Sequence, residues 1–306
     1  MNTTTMNTPR MSIVMVDGGF RESYHAIDFF CQQSLPPEDY ELIWVEYYDT
    51  VNPALAAQIA KYPNARVITL NRSGVYHSSY CFNAGIAASR AELILIPDAD
   101  LVVEPDMLQA VWEMHQTDER LVMYLFRYEE LESQRQAKIT LEHLQEVCVM
   151  KSPSNFGACL TVRKKWLTAI NGYEQHPVFG TGFHANGQDV NTRFKNLGLP
   201  IMWHPQIKLY HPWHPFTKAA DDAYNRQLVV IRYRAVNLLT NAFEGLDAAR
   251  KQAMPEELVG LLAEKEREIA KAAGKSADDE AAPSARPAER PFERALRALK
   301  VLVGKA

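Results

Sequence analysis

The sequence predicts an α/β fold: a Rossmann-like, mostly parallel sheet flanked by helices, with a C-terminal helical extension. Three observations predict it. Short apolar runs alternate with helix-patterned segments from residue 11 to about residue 120, polar residues cluster where those runs end, and strand signals stop at about residue 217. Strand–helix–strand alternation implies parallel strands joined by right-handed crossovers. Ligands of such sheets bind outside the carboxyl ends of the strands.

The elements follow in order. MSIVMVD (11–17) is a short apolar run closed by the turn signal Asp17-Gly18-Gly19. SYHAIDFFCQQSL then reads as a helix, with Ala26, Ile27, Phe30 and Cys31 on one face. YELIWVEYYD (40–49), rich in aromatic and β-branched residues, is the second strand. PALAAQIAKY (53–62) is a helix opened by a proline in its first turn. ARVITLNRSG (65–74) is a third strand, SYCFNAGIAAS (79–89) a helix of small residues, and AELILIPDAD (91–100) a fourth strand ending in acid.

The middle is less regular. LVMYLFRYEEL holds one more strand, and ESQRQAKITLEHLQEVCVM reads as a charged, helical flap. FGACLTVRKKWLTAINGY (156–173) gives a strand, a short helix and a glycine-ended cap. In DVNTRFKNLG, Val190, Phe194 and Leu197 fall at i, i+4 and i+7, which predicts a compact helix with Asp189 at or near its N-cap. LPIMWHPQIKLYHPWHP (199–215) supplies the last strand and a turn crowded with His, Pro and Trp.

Composition narrows the functional classes. A formal net charge of −4 argues against a nucleic-acid binder, whose affinity comes from a basic face. Four cysteines lie far apart without a CxxC pair, so neither a zinc site nor a disulfide frame is indicated. No apolar run reaches the roughly 20 residues that span a bilayer, and the polar start MNTTTMNTPRM lacks a signal-peptide core. The expected location is cytoplasmic.

Asp17, Glu46, Arg72 and the pair Asp98/Asp100 all fall at predicted strand ends, on one edge of the sheet. Strand-end turns also favour Asp for local hydrogen bonding, which is the plainer explanation of any one of them. Alternation points Asp98 and Asp100 to the same side. Two carboxylates so placed repel each other unless a cation lies between them, and a hard divalent ion shared with phosphates suits that geometry. The competing reading is a solvated turn. Asp189 is a candidate base or a simple helix cap. A neutral imidazole from His211 or its rival His214 can complete the shell of Mn2+.

The stretch SYCFNAGIAASRAELILIPDADLVVEPDML resembles the core of family 2 glycosyltransferases of the GT-A fold. The resemblance continues through NFGACLTVRKKWLTAINGYEQ and GQDVNTRFKNLGLPI and ends in KLYHPWHP, covering about residues 11–215. It is nearest to the galactosyl- and N-acetylgalactosaminyl-transferase branch. It implies a metal-dependent transferase that moves a hexose or N-acetylhexosamine from a UDP-sugar to an acceptor hydroxyl, on a glycan or a lipid-linked glycan, with inversion. It implies that Asp100 ligates Mn2+ or Mg2+, with His211 completing the shell, and that Asp98 belongs to the metal site and the donor site alike, contacting the ribose or a metal-bound water. Glu46 takes the place of the acid that binds ribose or uracil, and Arg72 that of a residue near the base or diphosphate. Asp189 stands at the general base, while Gln188 replaces the usual Glu that binds acceptor hydroxyls. VDGGFRES departs from the family's usual end of the first strand, which bears on Asp17 as a donor contact. Trp213 and His214 are candidate acceptor contacts. The alternatives are a retaining GT-A transferase and a nucleotide-sugar- or glycan-binding module without catalysis. A nucleotidyltransferase is disfavoured because Gly18-Gly19 is too short for its phosphate loop.

The expected organisation is a disordered tail at 1–10, a GT-A domain at 11–216, a helical extension at 217–274, a disordered Pro/Ala/charge-rich linker at 275–291, and a basic amphipathic helix at 292–306. That last helix could lie on an anionic membrane surface or serve as a dimer contact.

Overall fold

β1 (Met11–Asp17) is the apolar run that the sequence marks, and all of it but Val16 is buried. In the computed structural model, residues 8–180, 185–215 and 221–272 are described. The chain divides into two compact units, Met1–Lys265 and Glu266–Ala306. The second is described only over 266–272, which are helical. The expected tail is described only from residue 8, and the expected linker (275–291) and basic helix (292–306) lie outside the described residues.

After β1 come α1 (His25–Cys31), β2 (Tyr40–Glu46), α2 (Pro53–Ile59), β3 (Ala65–Thr69), α3 (Ser78–Ala88) and β4 (Leu93–Pro97). The helix α2 starts where expected, because Asn52 caps it by accepting from the Ala54 N–H and Pro53 presets the first turn. β5 (Val102–Val103) and α4 (Met107–Thr117) follow, neither marked in the sequence reading. Next are β6 (Val122–Glu129), α5 (Leu141–Val147), β7 (Val149–Met150), β8 (Cys159–Arg163), α6 (Lys164–Ala169), α7 (Asn186–Asn196) and β9 (Ile201–His211). The helices α8 (Asp221–Val236) and α9 (Glu256–Ala272) complete the list of long elements. The expected flap helix is thus confined to the seven residues of α5.

The strands form one sheet in the order β3-β2-β1-β4-β8-β6-β9-β5, with β7 beside β6. Strands β1 to β4 pair in parallel, as the alternation requires. β8 then enters antiparallel between β4 and β6, and β5 and β7 pair antiparallel at the margins. β6 and β9 pair in parallel again, so the sheet is mixed, with parallel and antiparallel pairs, where the sequence predicts a mostly parallel one.

Alternation along β1 sends Met11, Ile13 and Met15 into one apolar layer with α1, α2 and α4, and Val14 into the other with α3 and α7. The Asn-x-Gly of α3 has a packing reason. A Cβ on Gly85 would come within 2.2 Å of Val14, so only glycine lets α3 lie this close to β1. Asn83 is not a local turn former. Its amide donates to Tyr173 O and accepts from Tyr173 N–H, at 2.8 and 2.7 Å, and so ties α3 to the turn at 171–174.

One irregularity bears on the site. The β6/β9 register slips between Leu125 and Phe126, jumping from His204 to Lys208. Pro205 lies in the slip and has no N–H for the ladder, while His204 Nδ1 accepts from the N–H groups of Gln206 and Ile207. The second half of β9, with Tyr210 and His211, is thereby carried alongside Tyr128 and Glu129.

Among the described residues no helix is long and apolar enough to cross a membrane.

Candidate functional site

Asp17 and Glu46 are register partners at the carboxyl ends of β1 and β2, each 2% exposed. Asp17 closes the loop after β1 by accepting from the N–H groups of Phe20 and Arg21, both at 3.4 Å. Glu46 accepts from Trp44 Nε1 at 2.8 Å. Burial, with the neighbouring Asp17 charge, pushes the Glu46 carboxyl up to about 7. Burial likewise raises Asp17. Two adjacent acids are thus held in a setting that disfavours their charge.

Beside them runs an aromatic wall. Tyr47 meets Tyr48 and Tyr76 edge-on, with centroids 5.0 and 5.3 Å apart, and Phe20 meets Tyr76 at 4.9 Å. Arg72 lies 3.6 Å over the Tyr80 ring, and its backbone N–H donates to Tyr47 O. Arg72 is exposed, so its planar cation is presented at the strand ends as the sequence suggests.

Beyond β4, Asp98 and Asp100 part company. Asp98 Oδ2 accepts from Arg127 at 2.9 Å, and Arg127 reaches Glu129 at the same distance. Asp100 Oδ2 accepts from Arg21 Nη1 at 2.5 Å. His211 Nε2 lies 3.5 Å from Asp100 Oδ1, and His214 Nε2 lies 3.4 Å from Oδ2. His25 Nε2 contacts the Asp100 carbonyl oxygen at 2.9 Å. Burial and the Asp100 charge raise the pKa of Asp98. For Asp100, burial acts upward, but Arg21, His211 and His214 outweigh it and hold the carboxyl well below its ordinary range.

Asp100, His211 and His214 each turn one ligand atom to a common point, all within 4.8 Å of one another. The two imidazole Nε2 atoms are 3.3 Å apart. Such a convergence of an anionic oxygen and two ring nitrogens suits a borderline divalent ion. Both of the histidines that the sequence singles out, His211 and His214, belong to this group of three. Asp98 does not share the convergence.

Near the N-cap residue Ala185, Asp189 lies in the first turn of α7. Its side chain is 1% exposed. Oδ2 accepts from Arg193 Nε at 2.9 Å and Oδ1 accepts from Arg234. Burial acts upward on its pKa, yet Arg193 and Arg234 leave it lowered. As placed, the carboxylate is sealed and doubly paired, and it meets an acceptor proton only after parting from Arg193 and Arg234. Glu174 joins the same network, pairing with Arg234 and accepting from the N–H groups of Phe243 and Glu244 at 2.8 and 2.9 Å. Gln188, next to Asp189, is half-buried.

Trp213 is half-buried, with Arg135 5.2 Å from its ring centroid. Its loop is anchored by Glu130, which is 4% exposed. Glu130 accepts from Trp213 N–H at 2.8 Å and contacts His143 Nε2 at 2.9 Å, while its own N–H donates to His211 O. Trp203 is packed, stacked against Tyr124 at 5.0 Å and Phe126 at 5.4 Å.

The sequence reading missed Arg21, Arg127, Glu130 and Arg234. Arg21 had a signal in VDGGFRES, four residues after a strand-end Asp. The others meet the acids only through tertiary folding.

No curated protein matches the chain. A family model described as glycosyl transferase family 2 matches residues 24–176, half of the chain, spanning β2 to β4, the Asp98/Asp100 pair and the turn at 171–174. The chain belongs to glycosyl transferase family 2 and is a glycosyltransferase.

Proposed function

We propose that the protein is a metal-dependent glycosyltransferase that moves a hexose or N-acetylhexosamine from a UDP-sugar to an acceptor hydroxyl, on a glycan or lipid-linked glycan, with inversion. The observation that carries this is the convergence of Asp100, His211 and His214 at the sheet edge that also holds Asp17 and Glu46. A bound Mn2+ or Mg2+ supplies Lewis-acid neutralisation of the charge that builds on the departing diphosphate.

The chain's own residues do the rest. Asp100, His211 and His214 hold the ion, and Glu130 fixes the loop that presents the two histidines. Glu46, which bears its proton to about pH 7, is suited to hydrogen-bond a ribose hydroxyl as donor or acceptor. Asp17 orders the turn that carries Phe20 and Arg21. Arg72 on Tyr80 offers a flat cationic surface to a base or a phosphate. Asp98 stands beside the ion rather than on it, in reach of ribose or a coordinated water. Gln188, Trp213 and His214 serve the acceptor side. The acceptor oxygen forms its bond to the anomeric carbon as the bond to the diphosphate breaks, and the hydroxyl proton passes to Asp189 once its carboxylate parts from Arg193 and Arg234. A cytoplasmic location, with residues 292–306 touching the inner face of the membrane, fits an acceptor carried on lipid.

The test is UDP and GDP release from a panel of nucleotide sugars with Mn2+, Mg2+ or EDTA. The reading expects release from a UDP-sugar that needs the ion and stops in EDTA. Undiminished turnover in EDTA overturns it. The anomeric configuration of the product, read by NMR, decides inversion.

A further inference from the structure

Arg21 stands on Asp100, the acid that converges with His211 and His214. Its Nη1 lies 2.5 Å from Asp100 Oδ2, the same oxygen that His214 approaches at 3.4 Å. A guanidinium cannot shed its proton at any ordinary pH. The other Asp100 oxygen, Oδ1, lies 3.5 Å from His211 Nε2 and is buried without a hydrogen-bond partner among the described residues. An ion on that side and a guanidinium on Oδ2 repel each other across one carboxylate, so each weakens the other's hold.

We propose that Arg21 is an exchangeable counter-ion. It holds Asp100 while the donor site is empty, and it passes to the donor's diphosphate when a divalent ion takes Asp100, so that ion and nucleotide bind cooperatively. This rests on the reading of Asp100, His211 and His214 as the ion's ligands.

Three observations support an exchange rather than a fixed pair. First, the Arg21 head rests on one carboxylate: the backbone N–H sits on Asp17, and Nη1 meets Asp100 Oδ2. Second, the side chain is 24% exposed at the mouth of the site, so the head can swing without crossing the core. Third, Arg127 offers the contrast. It bridges Asp98 and Glu129 at 2.9 Å each, a double tie that a single incoming anion does not replace. The guanidinium fork fits phosphate oxygens as well as it fits a carboxylate. An arriving metal–diphosphate thus removes Arg21's partner and supplies another of like charge. Linkage makes the effect reciprocal: the factor by which UDP tightens the ion is the factor by which the ion tightens UDP.

The experiment titrates Mn2+ against the full chain, with and without UDP, following free Mn2+ by electron paramagnetic resonance. Wild type is compared with Arg21→Gln and Arg21→Lys, and circular dichroism and melting verify folding. Wild type is expected to bind Mn2+ weakly alone and about tenfold or more tightly with UDP. Arg21→Gln is expected to bind Mn2+ alone about tenfold more tightly, the worth of one charged hydrogen bond, and to lose most of the UDP effect. Arg21→Lys keeps the charge but not the fork, and is expected to retain weak Mn2+ binding with a reduced UDP effect. Should Arg21→Gln not fold, the Lys variant decides, and an undiminished UDP effect in it overturns the proposal. Wild-type Mn2+ affinity and coupling in Arg21→Gln overturn the exchange and leave the metal site standing. A wild type that binds no Mn2+ with or without UDP overturns both.

Discussion

Two clusters of arginine and carboxylate lie in this chain, and they are built to opposite ends. In one, Glu174, Asp189, Arg193 and Arg234 are all 0–1% exposed, two anions against two cations. Arg193 also donates to the carbonyl oxygens of Ile170 and Gly172. In the other, Asp98 and Asp100 meet Arg127 and Arg21 with side chains 14–33% exposed and two histidines alongside. The first is charge-balanced and closed to water, so a member that moves leaves a buried charge unpaired. The second is open, with imidazole nitrogens crowded together and an acid held by a single arginine. The same residue types fasten the fold in one place and stand ready for ligands in the other. Burial and the number of ties per charge make the difference.

The largest effect expected is in the sealed cluster. Asp189→Asn or Arg234→Met leaves a buried charge without its partner, which costs roughly 3–5 kcal/mol. Urea unfolding is expected to shift by that amount. If Asp189→Asn instead unfolds like wild type and has only lost turnover, Asp189 serves as a base alone and the two clusters are alike in kind.

The open cluster is expected to respond in the opposite way. Asp100→Asn is expected to lower ion-dependent turnover by about 100-fold or more, at the upper end of what ligand and near-ligand changes do. The change in stability should stay near 1 kcal/mol or below, as for a part-exposed pair. A large loss of stability with Mn2+ binding preserved breaks the contrast.

The smallest effect sits beside the open cluster. The Glu46 carboxyl is raised from its ordinary value to about 7, so the folded chain holds a proton there that the unfolded chain releases. Its contribution to stability is full below the ordinary glutamate range and is lost as pH rises through about 7. Comparing wild type with Glu46→Gln cancels the other titrating groups. The variant is expected to gain stability relative to wild type between pH 5 and pH 8. An unchanging difference means that Glu46 titrates normally.

Much of this was legible in local sequence. β1 matches its apolar run residue for residue, and the starts of α2 and α3 fall at or next to the signals of Asn52-Pro53 and Ser79. The grouping of Asp100 with His211 came from the family resemblance, carried by DAD after β4 and by KLYHPWHP. The remainder was hidden for two reasons. Sequence spacing cannot show partners: Asp189 reads as an N-terminal acid until Arg234, 45 residues on, is folded against it. Nor does alternation tell parallel from antiparallel once crossover helices give way to longer excursions, so the antiparallel entry of β8 between β4 and β6 was not legible. The helix α4 was a plain oversight, since Met107, Leu108, Val111 and His115 keep helical spacing and are buried.

Glu174 carries one further consequence, for where this chain can be divided. The family match ends at residue 176, and the last strand of the sheet ends at His211. Yet Glu174 accepts from the backbone of Phe243 and Glu244, and Asn171 accepts from the N–H of Leu246 and of Asp247. A fragment that stops at the end of the sheet strips these carboxylate and amide groups of their partners and takes Arg234 from Asp189. A self-sufficient transferase cut from this chain, or grafted into another, has to run past Asp247.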